Sequence, residues 1–307
     1  MLNKYTRNAK NRSIYYWSWL VILFSGTFVT IGFTFLILFY IIINGLQHFH
    51  LDMLGKPYNS KSPMSGGMGP FLLSSLMILF LTMVMSIPLC LFFAIYYVEY
   101  LKNPRTKDII FSTLNVLNSI PSIIFGIVGN TIFVVTFHLG YTGFSILSGS
   151  LTLFLVIFPI LSISMIQAMT KVSRITIESS YALGSTKWQT IYKVLLPESM
   201  KSMSGGIILS ISRVLGESAP VYLTVGASVF APANFLDQGR SLVVCIFLLF
   251  QNPSPGSTDF IYSMAFVLIF LIFIIIVTTR IFFFFIDKTN IQEKRKLKGV
   301  YEKIFKR

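Results

Sequence analysis

The longest polar segment between the apolar stretches of this chain reads Val172-Ser-Arg-Ile-Thr-Ile-Glu-Ser-Ser-Tyr-Ala-Leu-Gly184-Ser-Thr-Lys-Trp-Gln-Thr-Ile-Tyr-Lys-Val-Leu-Leu-Pro197. Apolar residues recur at helical intervals on both sides of its glycine, which predicts two short amphipathic helices: Val172, Ile175 and Ala182 come before it, and Trp188, Ile191 and Leu195 after it. Glycine suits the junction because a helix end often needs a positive φ, which a Cβ penalises by roughly 1 kcal/mol. Pro197 cannot lie deep inside a helix, but it can begin the next one. Such a helical hairpin needs a groove to sit in, although a surface-lying amphipathic hairpin would show the same pattern.

The composition places the chain in a membrane. It has 307 residues, of which 54% are hydrophobic and only 12% are charged, and its mean hydropathy is +0.74. Soluble globular domains of this length do not combine these values. The net charge of +14 does not indicate nucleic-acid binding, because the cations lie between the hydrophobic stretches and not on one folded face.

Six stretches with few or no charges are each near or above the roughly 20 residues that a helix needs to cross a bilayer. We therefore predict an all-α membrane protein with six transmembrane helices, at about residues 17–43, 71–98, 109–137, 147–170, 200–225 and 260–284. Lysine and arginine are concentrated in residues 1–16, in the loop after the second stretch, in residues 171–201 and in residues 286–307. By the positive-inside rule, these segments and both termini are cytoplasmic. The segment 44–70, with its glycines and prolines, is then an extracytoplasmic loop, and residues 71–285 form the transmembrane core.

The first span, the cysteines and the histidines indicate no chemistry beyond anchoring and packing. The first span is too long for the apolar part of a cleaved signal sequence, so we expect it to stay as an anchor. Cys90 and Cys245 are interpreted as small buried hydrophobic residues. His48, His50 and His138 lack metal-ligand spacing, so we expect no metal site and no cofactor bound by this chain.

The third span carries amides and hydroxyls that are costly in lipid, at Asn115, Asn118, Ser119 and Ser122, next to a helix-breaking Pro121. We expect this face to point at other helices or at a water-filled cavity, and helix packing alone is the alternative.

Two further segments are predicted to lie at the membrane interfaces. The second span ends in Tyr96-Tyr-Val-Glu-Tyr100, where aromatic residues and a charge suit the cytoplasmic interface. The apolar run from Leu242 to Gln251 is too short to cross, which favours a re-entrant or interfacial helix.

Arg213 and Glu217 lie within the fifth span, four residues apart on the same predicted helix. An ionisable residue inside a span indicates a substrate pathway, because leaving it in lipid costs several kcal/mol. A guanidinium presents a planar fork of donors suited to phosphate oxygens, and Glu217 can hold that fork when substrate is absent. The alternative is a purely structural ion pair between helices, and under either interpretation both side chains face the interior of the bundle.

The polar segment resembles the EAA loop of ABC-importer permeases, written E-A-A-x3-G-x9-I-x-L-P. Three residues separate Glu178-Ser179-Ser180 from Gly184, and nine separate Gly184 from Val194-Leu195-Leu196-Pro197. The two alanines are serines here and the isoleucine is a valine, and the spacing is intact. From about residue 66 onward, four further blocks resemble the PstA family of phosphate-importer permeases: Gly66-Gly-Met-Gly-Pro70, Tyr96-Tyr-Val-Glu-Tyr100, Ser119-Ile-Pro-Ser-Ile-Ile-Phe-Gly126 and Arg213-Val-Leu-Gly-Glu-Ser-Ala-Pro220.

This resemblance implies the type I ABC importer permease fold in a bacterial cytoplasmic membrane. The loop alone indicates a type I importer, whereas the block that begins at Arg213 points to phosphate. The implied partners are a second homologous permease in a heterodimer, two cytoplasmic ABC ATPase subunits that bind ATP and Mg, and an extracytoplasmic phosphate-binding protein. Arg213 and Glu217 are then expected on the substrate pathway, and the residues expected to couple the chain to the ATPases are Glu178, Ala182, Gly184, Trp188, Leu196 and Pro197.

Other functions remain open at this point. A permease for sulfate, molybdate or another solute would share the loop. A secondary transporter or channel without ATPases predicts inverted halves with matched broken helices, and the sequence shows no such symmetry. A purely structural role as a membrane-embedded scaffold would not explain why Arg213 lies inside a span. The chain lacks Gly-x4-Gly-Lys-(Ser/Thr), so it is expected to be a non-catalytic subunit that leaves ATP hydrolysis to its partners.

Overall fold

The protein is a bundle of α-helices, which confirms the predicted all-α class. The computed structural model describes the backbone of residues 2–305 and the side chains of residues 15–285, and this part of the chain contains no strand. The helices, in chain order, are α1 Leu2–His48, α2 Gly69–Ile95, α3 Pro104–Ser119, α4 Ser122–Gly129, α5 Ile146–Thr170, α6 Arg174–Ala182, α7 Lys187–Thr190, α8 Leu196–Gly216, α9 Ala219–Val225, α10 Leu242–Gln251 and α11 Ser257–Phe305. The side chains of the basic tail 286–307, and of all but the last two residues of the basic segment 1–16, lie outside the described part.

Within the described residues, four helical segments are long and apolar enough to cross a membrane, and a bent pair of helices makes up to five. The four correspond to the first, second, fourth and sixth predicted spans, at Tyr15–His48, Gly69–Tyr100, Ile146–Thr170 and Ser257–Phe285. The prediction of six spans is not confirmed, because the third and fifth are each broken into two helices. The short helix predicted from Leu242 to Gln251 is present with those bounds.

The third predicted span is not straight, because α3 and the helical segment Ser122–Thr136 are bent by 91° relative to each other. Of the two residues between these helices, Ile120 is extended, with φ −69° and ψ 132°. The bend occurs there because the ring of Pro121 disfavours helical backbone in the residue before it.

The polar face of α3 is not covered by the other described helices of this chain, so its contact with other helices or with a water-filled cavity stays a prediction. Asn115 and Ser119 are exposed. They satisfy their polar groups locally, since Asn115 Nδ2 donates to Phe111 O at 2.8 Å and Ser119 Oγ donates to Asn115 O at 2.9 Å. Asn118 differs, because its Oδ1 is buried and accepts no hydrogen bond from the described residues.

The fifth predicted span is also two helices. Between the end of α8 and the start of α9, Glu217 is extended, with φ −76° and ψ 127°. Pro220 lies in the first turn of α9, where its missing N–H has no helical partner to lose. α9 packs against α4 and α5, and this approach is close because a Cβ on Gly126 of α4 would lie 3.0 Å from Pro220 Cα.

The core lies where α2, α5 and α8 pack together, with α5 in the centre. Fully buried side chains of α5 include Leu153, Ile157 and Leu161. A proline inside a helical stretch predicts a break of the fourth span at Pro159, but α5 runs through this residue without interruption. The prediction was wrong because Pro159 is buried among neighbouring helices, and such packing keeps a membrane helix continuous across a proline. α2 is likewise continuous across Pro88.

α1 packs against α11, and its contacts lie near its C-terminal end. The Tyr40 ring meets the Tyr262 ring edge-on with centroids 5.7 Å apart. Gly45 permits the close approach, because a Cβ there would lie 2.5 Å from Phe266 Cβ. From Tyr15 toward this contact the large side chains of α1 are exposed, so most of its apolar surface is available to lipid or to another subunit.

The sidedness of the bundle is a prediction that thiol labelling can check. In a background with Cys90→Ala and Cys245→Ala, the single changes Ser60→Cys and Asn252→Cys at exposed positions should react with a membrane-impermeant maleimide on intact cells. Thr176→Cys, exposed on α6, should react only after permeabilisation. Labelling of Thr176→Cys from outside would reverse the topology and place the helical hairpin on the wrong side for a cytoplasmic partner.

Candidate functional site

The predicted helical hairpin is present, formed by α6 and α7 and the turn 183–186 between them. Gly184 in this turn has a φ of +82°, which confirms the predicted positive φ. A capping box begins α7. Gln189 N donates to Thr186 Oγ1 at 3.3 Å, and Thr186 N donates to Gln189 Oε1 at 2.9 Å.

Three hydroxyls tie the two arms of the hairpin together, and sequence reasoning did not find them. Ser180 Oγ lies 2.7 Å from Ser185 Oγ and 3.2 Å from Thr190 Oγ1, and the last two oxygens are 2.9 Å apart. Ser185 Oγ also contacts Ser180 O at 2.6 Å. Ser180 occupies the place of an alanine in the EAA pattern, so this substitution adds hydrogen bonds that an alanine cannot make.

The predicted apolar stripe of the hairpin is divided between two faces. Val172, Ile191 and Leu195 are buried in the main core. Ala182 is exposed, and so is a group of large apolar side chains that we call the hairpin patch: Ile175 (74% exposed), Leu183 (87%), Trp188 (60%) and Tyr192 (65%). Large exposed apolar residues concentrated in one polar segment indicate an interaction site.

The end of the hairpin agrees with the prediction at Pro197, which lies in the first turn of α8. The chain nevertheless stays helical from Lys187 to Gly216, so α8 follows the hairpin without an intervening loop. A wider π-helical turn, Ile191–Leu195, precedes it. This turn alters the regular α-helical pairing just ahead of the proline ring, which an α-helix interior tolerates poorly. Leu196 and Pro197 are half-buried, and Glu178 on α6 is exposed.

Arg213 and Glu217 meet at the break between α8 and α9. Arg213 Nε donates to Glu217 Oε1 at 3.4 Å, and the two side chains are 29% and 14% exposed. Glu217 follows the last residue of α8, so the two residues are neighbours across a helix end and do not lie on one helix as predicted. The cation in the last turn of α8 is favoured by the partial negative charge of that helix end. The two terminal guanidinium nitrogens make no hydrogen bond to any residue that the structure describes.

His48 and His50 lie at the end of α1 and just after it, and His138 precedes α5. His48 Nε2 is 3.9 Å from Asp259 Oδ1, where α1 meets the start of α11. His138 has a φ of 49° in the turn region before α5. Among the side chains of residues 15–285, no group of three or more histidine, cysteine or acidic residues is arranged to hold a metal ion.

A bundle of apolar helices, two broken helices and a polar helical hairpin together define a multi-pass membrane protein. The chain belongs to the family of binding-protein-dependent transport system inner membrane components, whose sequence model matches residues 86–290. The matched range contains the hairpin, Arg213 and Glu217.

Similar proteins confirm the resemblance seen in the sequence. The probable ABC transporter permease YqgH of Bacillus subtilis is 30% identical over 213 residues, which cover 68% of this chain and 69% of the relative. The phosphate transport system permease PstA homolog of Mycoplasma pneumoniae is 30% identical over 276 residues, 87% of this chain, but this chain spans only 41% of that protein. The probable phosphate transport system permease PstA of Methanocaldococcus jannaschii is 30% identical over 213 residues, 67% of this chain and 72% of the relative.

Among solved structures, an inward-facing form of the MetNI methionine ABC transporter contains a chain that matches with a TM-score of 0.55. The match covers 72% of this chain and 94% of the other chain, at 17% sequence identity. A likeness at this identity shows the fold alone. This chain therefore has the fold of an ABC-importer permease and is a membrane component of a transport system.

Proposed function

We propose that this chain is the transmembrane permease subunit of an ATP-driven importer of inorganic phosphate in a bacterial cytoplasmic membrane. The observation that carries the proposal is Arg213, a partly buried arginine at a helix break whose terminal nitrogens have no partner among the described residues. An arginine in this situation is suited to binding a tetrahedral oxyanion through two parallel hydrogen bonds. Relatives named as phosphate transport permeases support phosphate as that oxyanion.

Two cytoplasmic ABC ATPase subunits are the proposed partners of the hairpin. The exposed hairpin patch supports this assignment, because its apolar side chains need a partner surface. ATP and Mg bind to those partner subunits, and this chain binds no cofactor of its own. The residues proposed to transmit the movement are Glu178, Ala182, Gly184 and Trp188 in the hairpin and Leu196 and Pro197 at the start of α8, the helix that carries Arg213.

A second, homologous permease is proposed to complete the pathway. The exposed amide and hydroxyl face of α3 supports this, because Asn115 and Ser119 would line a polar cavity between two subunits more readily than they would face lipid. An extracytoplasmic phosphate-binding protein delivers the substrate to the opposite side of the bundle from the hairpin.

In the proposed transport cycle, the substrate pathway opens alternately to the outside and to the cytoplasm. Closure of the ATPases moves the hairpin and, through α8, the helix break that holds the ion pair. When phosphate is absent, Glu217 holds the Arg213 guanidinium in place through Nε. When phosphate enters, it binds the two terminal nitrogens while Glu217 keeps its contact with Nε, and opening toward the cytoplasm releases the anion.

The anion that drives ATP hydrolysis tests this function. The chain should co-purify with its ATPase and its partner permease, and phosphate with its binding protein should stimulate hydrolysis in the reconstituted complex. Sulfate and molybdate, as matched tetrahedral oxyanions, should not. Stimulation by sulfate or molybdate alone would reassign the substrate. Anion transport by the chain with no ATPase would favour a secondary transporter.

A further inference from the structure

The cytoplasmic end of α2 holds a motif that the proposed function does not use. After α2 the chain continues as a π-helical turn, Tyr96–Tyr100, and becomes extended at Leu101. The sequence alone assigns these aromatic residues to anchoring at the membrane interface. In the structure, however, this turn lies against the helical hairpin, whose sequence is more than eighty residues away.

Lys187, the first residue of α7, makes the central contact. Its Nζ donates to Glu99 O at 2.6 Å and lies 3.8 Å from the centre of the Tyr100 ring. The cation thus meets a carbonyl and an aromatic face at once. The capping box at Thr186 and Gln189 fixes the backbone on both sides of Lys187. This lysine is therefore turned into its own chain rather than toward the hairpin patch.

The contact is favourable for two physical reasons. The last carbonyls of a helical segment have no partner within the helix, and a lysine can satisfy one of them while its charge compensates the negative helix end. A cation over a tyrosine face gains further electrostatic attraction, which is stronger where water is partly excluded. Lys187 is half-buried, so both effects are less screened than at the surface.

The other arm of the hairpin reaches the same turn. Tyr181 of α6 lies beside Glu99: burial raises the pKa of the Tyr181 phenol, and the neighbouring Glu99 carboxylate raises it further. Below the hairpin, Ile191 and Leu195 are fully buried in the same core as Ala94 of α2. The end of α2 and the turn after it therefore lie against α6 and α7, and they share a core with the second π-helical turn, Ile191–Leu195.

The far end of α2 is hydrogen-bonded to the first residue of α10 and to the segment just before it. Leu242 N donates to Ser75 Oγ at 2.9 Å, and Arg240 N donates to Ser74 Oγ at 3.4 Å. The Arg240 guanidinium also donates to Ala227 O, beside a cavity of about 310 Å³. A continuous helix thus connects the hairpin to the segment 226–242 on the opposite side of the bundle.

We infer that Lys187 is a positioning residue that clasps the hairpin to α2 through the Tyr100 ring and the Glu99 carbonyl, so that movement of the hairpin is passed along α2 to the segment 226–242. This inference rests on the proposed function, in which ATPases move the hairpin. It assigns the transmission to a second helix besides α8, which carries Arg213. The clasp keeps α2 and the hairpin together as one body during the cycle.

Substitution of Lys187 or of Tyr100 should uncouple ATP hydrolysis from phosphate uptake. Lys187→Met and Tyr100→Leu should each leave the yield of the ATPase complex and its basal hydrolysis unchanged, while phosphate uptake falls by about tenfold, the factor expected from losing a partly desolvated cation–π contact and a hydrogen bond. Lys187→Arg and Tyr100→Phe keep the cation and the ring, so they should transport at nearly the parental rate. Lys171→Met, a loss of the same charge at an exposed position at the end of α5, is the matched control and should have no effect.

The double variant shows whether Lys187 and Tyr100 act through one shared contact or through two independent effects on uptake. Because both residues form a single clasp, Lys187→Met with Tyr100→Leu should be no worse than either single change. Losses that multiply would overturn the inference, and so would single variants that transport like the parent. Loss of the ATPase from the Lys187→Met complex would place Lys187 in the docking surface instead and would also overturn it.

A reversible cross-link between positions 100 and 187 should restore phosphate uptake to a variant that has lost it. Tyr100→Cys with Lys187→Cys, in the background that lacks Cys90 and Cys245, should be uncoupled when reduced. A short bis-methanethiosulfonate linker should restore uptake, and dithiothreitol should remove it again. Failure of a formed cross-link to restore any uptake would show that the two elements need not move together.

The inference can fail separately from the proposed function. If the parental complex responds to no anion, the proposed function fails, and hydrogen exchange of the full chain in nanodiscs still tests the clasp. Lys187→Met should then accelerate exchange both in the hairpin and at residues 96–101, whereas Lys171→Met should change neither. Unchanged exchange at 96–101 would overturn the clasp whatever the substrate is.

Discussion

Gly184→Val is expected to abolish phosphate uptake while the transmembrane helices stay inserted. The φ of Gly184 is +82°, a backbone conformation that costs an L-residue roughly 1–2 kcal/mol, and more with a β-branched side chain. A Cβ at this position would meet no atom within 4 Å, so the effect comes from the backbone alone. Relief of the strain would rotate the turn, separate Ser180 from Ser185 and misplace the hairpin patch. The ATPase should no longer co-purify with the chain.

Two variants control this result. Gly184→Asn should retain part of the uptake, because asparagine tolerates positive φ better than other residues with a Cβ. Gly55→Val changes a loop glycine that also has open space around it but a φ of −106°, so it should transport normally. ATPase recovery on affinity purification and phosphate uptake are the measurements. Parental uptake by Gly184→Val would mean that the hairpin does not need this turn.

The hairpin could be predicted because its determinants are local. A glycine between two amphipathic runs specifies a turn with positive φ, and Gly184 has it. The bounds of α10 were also predictable, since a short apolar run is flanked by Ser241 and Asn252. In both places the decisive interactions lie within a few residues along the chain.

Periodicity did not reveal which apolar residues the chain buries by itself. Ile175 and Trp188 share the helical spacing of Val172 and Ile191, yet the first two are exposed and the last two buried. The spacing shows which residues lie on a common face. It cannot show whether that face meets this chain or another subunit.

Pro121 was recognised as a helix breaker, but the third and fifth spans were each still predicted as one transmembrane helix because hydropathy averages over local backbone signals. Pro121 already argued against a helical Ile120, but the apolar length of the stretch around it favoured one continuous span. The contact of Lys187 with Tyr100 had no signal in the sequence at all, because it joins residues that only the packing of α2 against α5 and the hairpin brings together. Long-range polar contacts of this kind can be identified only once the tertiary structure is known.

Arg213→Gln is expected to lower phosphate uptake by about 10- to 100-fold, because a hydrogen bond to a charged group contributes roughly 1.5–3 kcal/mol. Glutamine keeps hydrogen-bond donors but loses the charge, and the complex should still assemble. Arg213→Lys should recover only part of the uptake, since an ammonium keeps the charge but lacks the planar fork. Arg280→Gln removes an arginine that is exposed on α11, and it is the matched control that should transport normally.

A purely structural ion pair predicts another pattern, and the geometry makes the two distinguishable. Glu217 is only 14% exposed, so leaving its carboxylate without Arg213 would cost roughly 3–5 kcal/mol. Under that interpretation, Arg213→Gln lowers complex yield, and adding Glu217→Gln restores both yield and uptake. If Arg213 binds phosphate, the double variant assembles but does not transport, because neutralising Glu217 does not replace the guanidinium fork. Complex yield and phosphate uptake measured on both single variants and the double variant decide between them, and parental uptake by the double variant would remove Arg213 from the substrate pathway.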